Sequence, residues 1–347
     1  MSRSRPQAGG KPRPGRQAAR SGRRRPATLL LVAAVIVLLV GAGGLLARQR
    51  AASSPSIRHV HGMAFDPADP NRLWIATHDG LLIWEEPAGW RGRVGPVIDL
   101  MGFAAGPDGR LYASGHPGPG VDLANPLGLV QSEDGGRRWE PVSLEGVVDF
   151  HAMAVSPARP GLVYGYFYGD GRFYRSEDGG RTWARRPAPE LAGPRGLGPL
   201  QLVAHPTDPA TLLAAGEDGL QLSTDGGARW VRLYEGVVTT AALIPQGDRG
   251  PGTGGPSAGD GAEATGAAGP GSATILAYDV AQGLLRSTDG GRTWQPAGSG
   301  LPLDPEDPLA ALAVHPGAPQ RIYAITMTGS LWISTDGGET WETVGAR

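Results

Sequence analysis

The sequence predicts an all-β fold, a six-bladed β-propeller with seven blades as the alternative, preceded by one N-terminal transmembrane helix. Three observations predict it. An eight-residue unit recurs five times, four short apolar segments separate consecutive copies, and 21 uncharged residues stand ahead of the first repeat.

The copies read SEDGGRRW from Ser132 through Asp134 to Trp139, SEDGGRTW from Ser176 through Asp178 to Trp183, and STDGGARW from Ser223 through Asp225 to Trp230. STDGGRTW follows from Ser287 through Asp289 to Trp294, and STDGGETW from Ser334 through Asp336 to Trp341. Each reads as a hairpin turn. Ser and Asp side chains bond the backbone of their own turn, and paired glycines supply the positive φ of a tight reversal. The Trp re-enters the next strand with a large apolar surface. These residues are structural, and no catalysis is assigned to the five Asp.

Aligned on the glycine before each copy, six units appear, at Gly80, Gly128, Gly171, Gly219, Gly283 and Gly329. The first has lost the turn motif and keeps Trp84 where Ser would stand. Each unit runs through a strand ending in a Pro turn, such as HVHGMAFDP, a second such as RLWIAT, the Gly-led third, and a fourth starting at the Trp. Four short strands per repeat of about 40–50 residues describe a propeller blade. Ring closure then protects the sheet edges. The one long spacing, 64 residues from Ser223 to Ser287, is accounted for by Pro245 to Ala273, a Gly/Pro/Ala-rich insertion expected as a disordered loop between the first and second strands of blade 5.

Ahead of the propeller, expected over 57–347, three segments differ. Residues 1–26 are rich in Arg, Pro and Gly and are expected to be a disordered cytoplasmic tail. Residues 27–47 are long enough to span a bilayer as a helix. Nine basic residues precede them and two follow, which orients the N-terminus to the cytoplasm and the propeller outside. The alternative is a secreted product cleaved near the small residues 51–54. Residues 48–56 form a linker.

The net charge of −1 hides a split: residues 1–50 hold 11 of the 32 Lys and Arg and no acid, leaving 21 basic against 33 acidic residues, a balance of −12. An acidic body argues against nucleic acid, whose binding needs phosphate neutralisation. With no cysteine there is no disulfide framework, thiolate metal site or Cys nucleophile.

The pattern S-x-D-x-G-x-x-W resembles the Asp-box, or BNR repeat, of sialidases, sortilin-type receptor domains and photosystem II assembly-factor-like proteins. HVHG with its following DP, and the GHPGPG loop, are similar to bacterial Asp-box proteins labelled glycosyl hydrolases. The resemblance implies either glycoside hydrolysis or a binding and assembly role. Hydrolysis needs two carboxylates about 5–9.5 Å apart, and Asp99 and Asp149, in one row on neighbouring blades, are the candidate catalytic pair. The chain departs from true sialidases, since SIRHVHG stands where an F/Y-R-I-P motif would lie and only Arg58 and Arg195 are available as top-face arginines.

Propeller topology sorts the histidines. His59, His61 and His151 fall on innermost strands, and His78 and His116 in loops joining second to third strands; all five share one face. Superposing the first three innermost strands aligns His59 with Asp99 and Asp149, His61 with Met101 and His151, and Met63 with Phe103 and Met153. Residues two apart on a strand face the same way, so His59, His61 and Met63 are expected as one stripe. His59, His61, Met101, Asp149 and His151 are therefore candidate metal ligands, for zinc through His and carboxylate or copper through His and Met. The other reading makes these side chains hydrogen-bonded packing between blades. The long loop Gly115 to Gly128 adds His116 and Asp122, which with His59, His61 and His151 are the candidate contacts for a protein, peptide or glycan ligand.

Overall fold

The computed structural model describes residues 57–196, 198–245, 273–301 and 303–344. The expected tail (1–26), transmembrane anchor (27–47), linker (48–56) and most of the blade 5 insertion (246–272) lie outside the described residues. Among the described residues no helix is long and apolar enough to cross a membrane.

Among the described residues six antiparallel four-stranded sheets follow one another along the chain, the six blades expected, and no seventh sheet is present among them. Blade 1 holds β1 (Val60–Asp66), β2 (Asp69–Thr77), β3 (Gly80–Glu85) and β4 (Gly89–Val94). Blade 2 holds β5 (Ile98–Ala105), β6 (Leu111–Pro117), β7 (Leu129–Ser132) and β8 (Glu140–Ser143). β9 (Phe150–Val155), β10 (Val163–Phe167), β11 (Arg172–Ser176) and β12 (Ala184–Pro187) form blade 3. Blade 4 comprises β13 (Pro199–Ala204), β14 (Leu212–Gly216), β15 (Gly219–Ser223) and β16 (Val231–Tyr234). β17 (Val238–Ile244), β18 (Thr274–Asp279), β19 (Gly283–Ser287) and β20 (Gln295–Pro296) form blade 5, and β21 (Leu309–Val314), β22 (Ile322–Thr326), β23 (Leu331–Ser334) and β24 (Glu342–Thr343) blade 6.

The core is divided among six seams between neighbouring blades. A strand with both faces covered reads as a continuous apolar run, and alternate residues serve opposite seams. In β2, Leu73 and Ile75 pack toward blade 6 while Trp74 and Ala76 pack toward blade 2. In β18, Ile275 and Ala277 face blade 4 while Leu276 and Tyr278 face blade 6. Ala273, expected at the end of the insertion, is buried in the seam of blades 4 and 5 and belongs to the core. Each blade is continuous in sequence, so among the described residues no exchanged strand closes the ring. Closure rests on the seam of Val60, Leu73 and Ile75 with Ala311, Tyr323 and Ile325, and on the Val60 N–H donating to Met327 O at 3.0 Å. Glu86 of blade 1 adds contacts to both Arg321 and Tyr323 of blade 6.

All five repeated turns have one hydrogen-bond plan. The Ser Oγ, buried, accepts the N–H of the second glycine at 2.8 Å in every copy. It donates to the Asp Oδ1 at 2.7–3.0 Å. That same Oδ1 accepts the N–H four residues beyond the Asp at 2.9–3.0 Å. In blade 1, where the motif is lost, Trp84 is buried against Tyr323 with ring centroids 5.2 Å apart.

Every innermost strand carries a β-bulge near its start, at the second position in five strands and the fourth in β5, where one extra residue interrupts pairing with the next strand. The extra residues are His61, Met101, His151, Leu200, Thr239 and Ala310. Bulges re-aim side chains at sheet rims. Around the axis the innermost strands enclose a cavity of about 560 Å³, lined by Phe103, Met153, Leu202, Leu243 and Leu312 along its wall. His61 and His151 lie at one end and His315 at the other.

Candidate functional site

His59 sits just ahead of β1 with φ 54°, the left-handed region that non-glycine residues rarely adopt. Its ring stacks on His61 with centroids 4.8 Å apart and planes 6° from parallel. His78 enters from the tight turn between β2 and β3, where Thr77 Oγ1 accepts the Asp79 N–H at 3.1 Å and donates to Gly80 O at 2.8 Å. Its ring meets His59 and His61 edge-on, at 5.2 and 4.6 Å.

Asp99, on β5 of the neighbouring blade, reaches this trio. His78 Nδ1 lies 2.8 Å from Asp99 Oδ1, and His61 Nε2 lies 3.7 Å from the same oxygen. Neither approach is aligned as a hydrogen bond: His61 Nε2 and Asp99 Oδ1 are both buried without a hydrogen-bond partner. Burial, and after it the neighbouring His59, His78 and His151, pushes the His61 imidazole down to about 3. Burial also lowers His59. His61 is therefore a neutral imidazole at physiological pH.

Asp149, at the foot of β9, builds a second constellation. Its Oδ2 lies 2.8 Å from His151 Nε2 and 3.2 Å from His116 Nε2. His116 Nδ1 lies 2.7 Å from Asn125 Oδ1, which ties the long loop to the channel mouth. The His151 ring leans on Tyr168, centroids 4.5 Å apart. Tyr168 donates its hydroxyl to Pro199 O at 2.9 Å, and burial raises its phenol well above the usual range.

The expected single row thus divides. His59, His61 and Asp99 assemble with His78, which sequence reasoning placed on this face but not among the ligands; the Thr-His-Asp-Gly turn between two strands was its one signal. Asp149, His151 and His116 form the neighbouring group. Met63 leaves the expected stripe and is buried in the seam of blades 1 and 6, because the bulge at His61 breaks the two-residue alternation. Met101 is half-buried, and no described contact joins it to the histidines or carboxylates. Asp122 is exposed and borders a shallow outer depression with Arg138 and Trp139, away from the mouth. At the far end, His315 Nδ1 accepts the Gly317 N–H at 3.1 Å, and His205 Nδ1 accepts the Asp208 N–H at 3.1 Å.

A BNR/Asp-box repeat profile matches residues 285–296 and 332–343. The chain is an Asp-box β-propeller. Among solved structures, this Asp-box propeller is similar to the GH74 xyloglucanase of Xanthomonas campestris, at 20% identity and TM-score 0.53, over 83% of this chain and 45% of that one. An ancestral GH74 enzyme aligns at 14% identity and TM-score 0.52, over 83% of this chain and 39% of that one. The propeller therefore spans less than half the length of these enzymes. YCF48 bound to D1 peptide aligns at 14% identity and TM-score 0.47, over 83% and 82% of the two chains. At such identities the likeness concerns the fold alone. No curated protein matches the sequence.

Proposed function

We propose that this Asp-box propeller is a binding module whose protein, peptide or glycan ligand seats across the channel mouth formed by blades 1 to 3. The uncharged stretch 27–47, with nine basic residues ahead of it, supports tethering to the cell membrane with the propeller outside.

One observation carries the preference for binding over hydrolysis. The carboxylates Asp99, Asp149, Asp79 and Glu217 at the mouth each already have a histidine or arginine neighbour within 3.7 Å, even though Asp99 Oδ1, His61 Nε2 and Asp149 Oδ1 make no aligned hydrogen bond. Asp99 faces His61 and His78, and Asp149 faces His116 and His151. Arg58 is paired with Asp79, and Arg195 with Glu217 at 3.0 Å. Glycoside hydrolysis needs two carboxyl groups opposed across an open groove, and an anionic sugar would need unpaired cations. The Tyr168 phenol, fixed to Pro199 O, is not poised as a nucleophile.

Hydrolysis remains the competing reading because Asp99 and Asp149 hold equivalent positions on adjacent blades. Reducing-end release from xyloglucan and a panel of other polysaccharides tests it on the purified chain. No turnover is expected; turnover abolished by Asp149→Asn overturns the binding reading. On peptide and glycan arrays the wild-type chain should be retained by a defined ligand set, and a folded Asp149→Asn variant should lose it.

A further inference from the structure

We infer that His61, His78 and Asp99 bind a single divalent transition-metal ion of the zinc type across the seam between blades 1 and 2. The inference deepens the reading of the channel mouth as the ligand site and rests on it for the metal's purpose. One donor atom from each residue lies within 4.8 Å of the others. Four ligands held about 2.0–2.2 Å from zinc in a tetrahedron stand roughly 3.3 Å apart. The separations of 3.7 Å from His61 Nε2 to Asp99 Oδ1 and 2.8 Å from His78 Nδ1 to Asp99 Oδ1 bracket that value.

Two features separate this group from ordinary packing. Buried polar atoms in folded proteins are almost always hydrogen-bonded, yet His61 Nε2 and Asp99 Oδ1 face each other without a hydrogen-bond partner. A cation between them satisfies both lone pairs at once. The His61 ring is also held by its parallel stack on His59, whose left-handed backbone sets that contact. Among the described residues no second group of three such donors lies as close: in the neighbouring constellation the two imidazoles approach one oxygen of Asp149 and serve each other through it.

The donor chemistry selects the ion. Two imidazole nitrogens and one carboxylate oxygen suit zinc, cobalt or nickel. Copper(I) prefers thioether donors, and Met101 has no described contact with the group while Met63 is core. Three protein ligands leave a tetrahedral ion one open position. The position opens at the mouth, where a carboxylate or hydroxyl of the seated peptide or glycan would complete the shell.

The test uses the purified full-length chain in detergent, stripped with chelator and titrated with Zn²⁺ by calorimetry and with Co²⁺ by visible absorption. One equivalent should bind, with the intense visible bands of tetrahedral cobalt. His61→Ala, His78→Ala and Asp99→Asn should each weaken binding by more than the roughly 10–100-fold typical of losing an outer partner of a metal site. Met101→Leu and His116→Ala should leave it unchanged. Metal-free melting curves of every variant separate ligand loss from misfolding, and Asp99→Asn keeps the shape of the side chain. No binding by a folded wild-type chain, or stoichiometric binding unchanged in a folded His78→Ala and Asp99→Asn, overturns the inference. Array retention by chelated protein without zinc binding sinks the metal and leaves the binding module standing. Zinc binding without array retention sinks the binding module instead.

Discussion

Gly180 touches Leu129 across the seam of blades 2 and 3 so closely that a Cβ on the glycine would stand 2.0 Å from Leu129 Cδ2. The second glycine of every Asp-box meets the preceding blade in this way: Gly136 meets Leu81, Gly227 meets Phe173, Gly291 meets Leu233 and Gly338 meets Leu276, all below 3.0 Å for the same construction. The Asp-box is therefore a seam contact as well as a turn.

Gly180→Ala and Gly179→Ala should separate the two roles. Both glycines have positive φ, 84° and 73°, but a Cβ on Gly179 meets nothing closer than 3.5 Å. Gly179→Ala should cost about 1–2 kcal/mol for the left-handed backbone. Gly180→Ala adds overpacking of about 1–3 kcal/mol. Urea unfolding of the two variants should show the second clearly less stable; equal losses would remove the seam from the account.

The Asp-box aspartates should make stability acid-sensitive, with each contribution kept small by solvent screening. Asp178 is held below the usual carboxylate range by the Thr182 hydroxyl, then by the Thr182 N–H and the Ser176 hydroxyl, and Asp289 likewise by Thr293 and Ser287. Asp134, Asp225 and Asp336 are lowered as well. A carboxyl lowered in the folded state stabilises fully above its unfolded value, near 3.8, and loses that contribution as pH falls toward the folded value. Melting temperature should thus hold through mild acid and drop below about pH 4. The double variant Thr182→Val, Thr293→Val should show a shallower drop.

Ser176→Ala should destabilise by about 1–3 kcal/mol, because the Gly180 N–H loses its buried acceptor. Denaturant midpoints at unchanged m-value check this.

Blades 4, 5 and 6 are linked by a short buried relay. Thr240 Oγ1 donates to Gln201 Oε1 at 2.9 Å and accepts the Leu312 N–H at 3.1 Å, and Gln201 Oε1 also accepts the Ala241 N–H at 2.9 Å. Thr240→Val keeps the shape and strands the Leu312 N–H, for an expected loss of about 1–3 kcal/mol. Amide exchange at Leu312 should accelerate relative to its strand neighbours; unchanged protection would refute the relay.

Ring closure depends mainly on side chains, with one backbone bond from the Val60 N–H to Met327 O, so Glu86→Ala should cost about 2 kcal/mol by releasing both Arg321 and the Tyr323 hydroxyl. Hydrogen exchange should rise first in β1 and β22, at the junction of the first and last blades.

The architecture was legible because it is written locally. An Asp-box turn is specified within eight residues, by a Ser that takes a glycine N–H and an Asp that takes the N–H four residues on, so five copies announced five turns. The first blade was legible without its turn through Gly80 and Trp84, since the apolar alternation of its strands persists. The placement of five histidines on one face followed from blade topology alone.

What the sequence did not decide is which of those histidines meet. Two facts of tertiary structure settled it. The bulge at His61 shifts the side-chain alternation of β1, so Met63 enters a seam while His61 stays at the mouth. The spacing between blades then determines that Asp99 is shared with His61 and His78 while Asp149 is shared with His116 and His151. The first depends on β1 pairing with β2 more than a dozen residues on, and the second on Asp99 and Asp149 meeting His61 and His116 more than thirty positions away. A one-residue insertion in a strand leaves no mark on composition or periodicity until its partner strand is known.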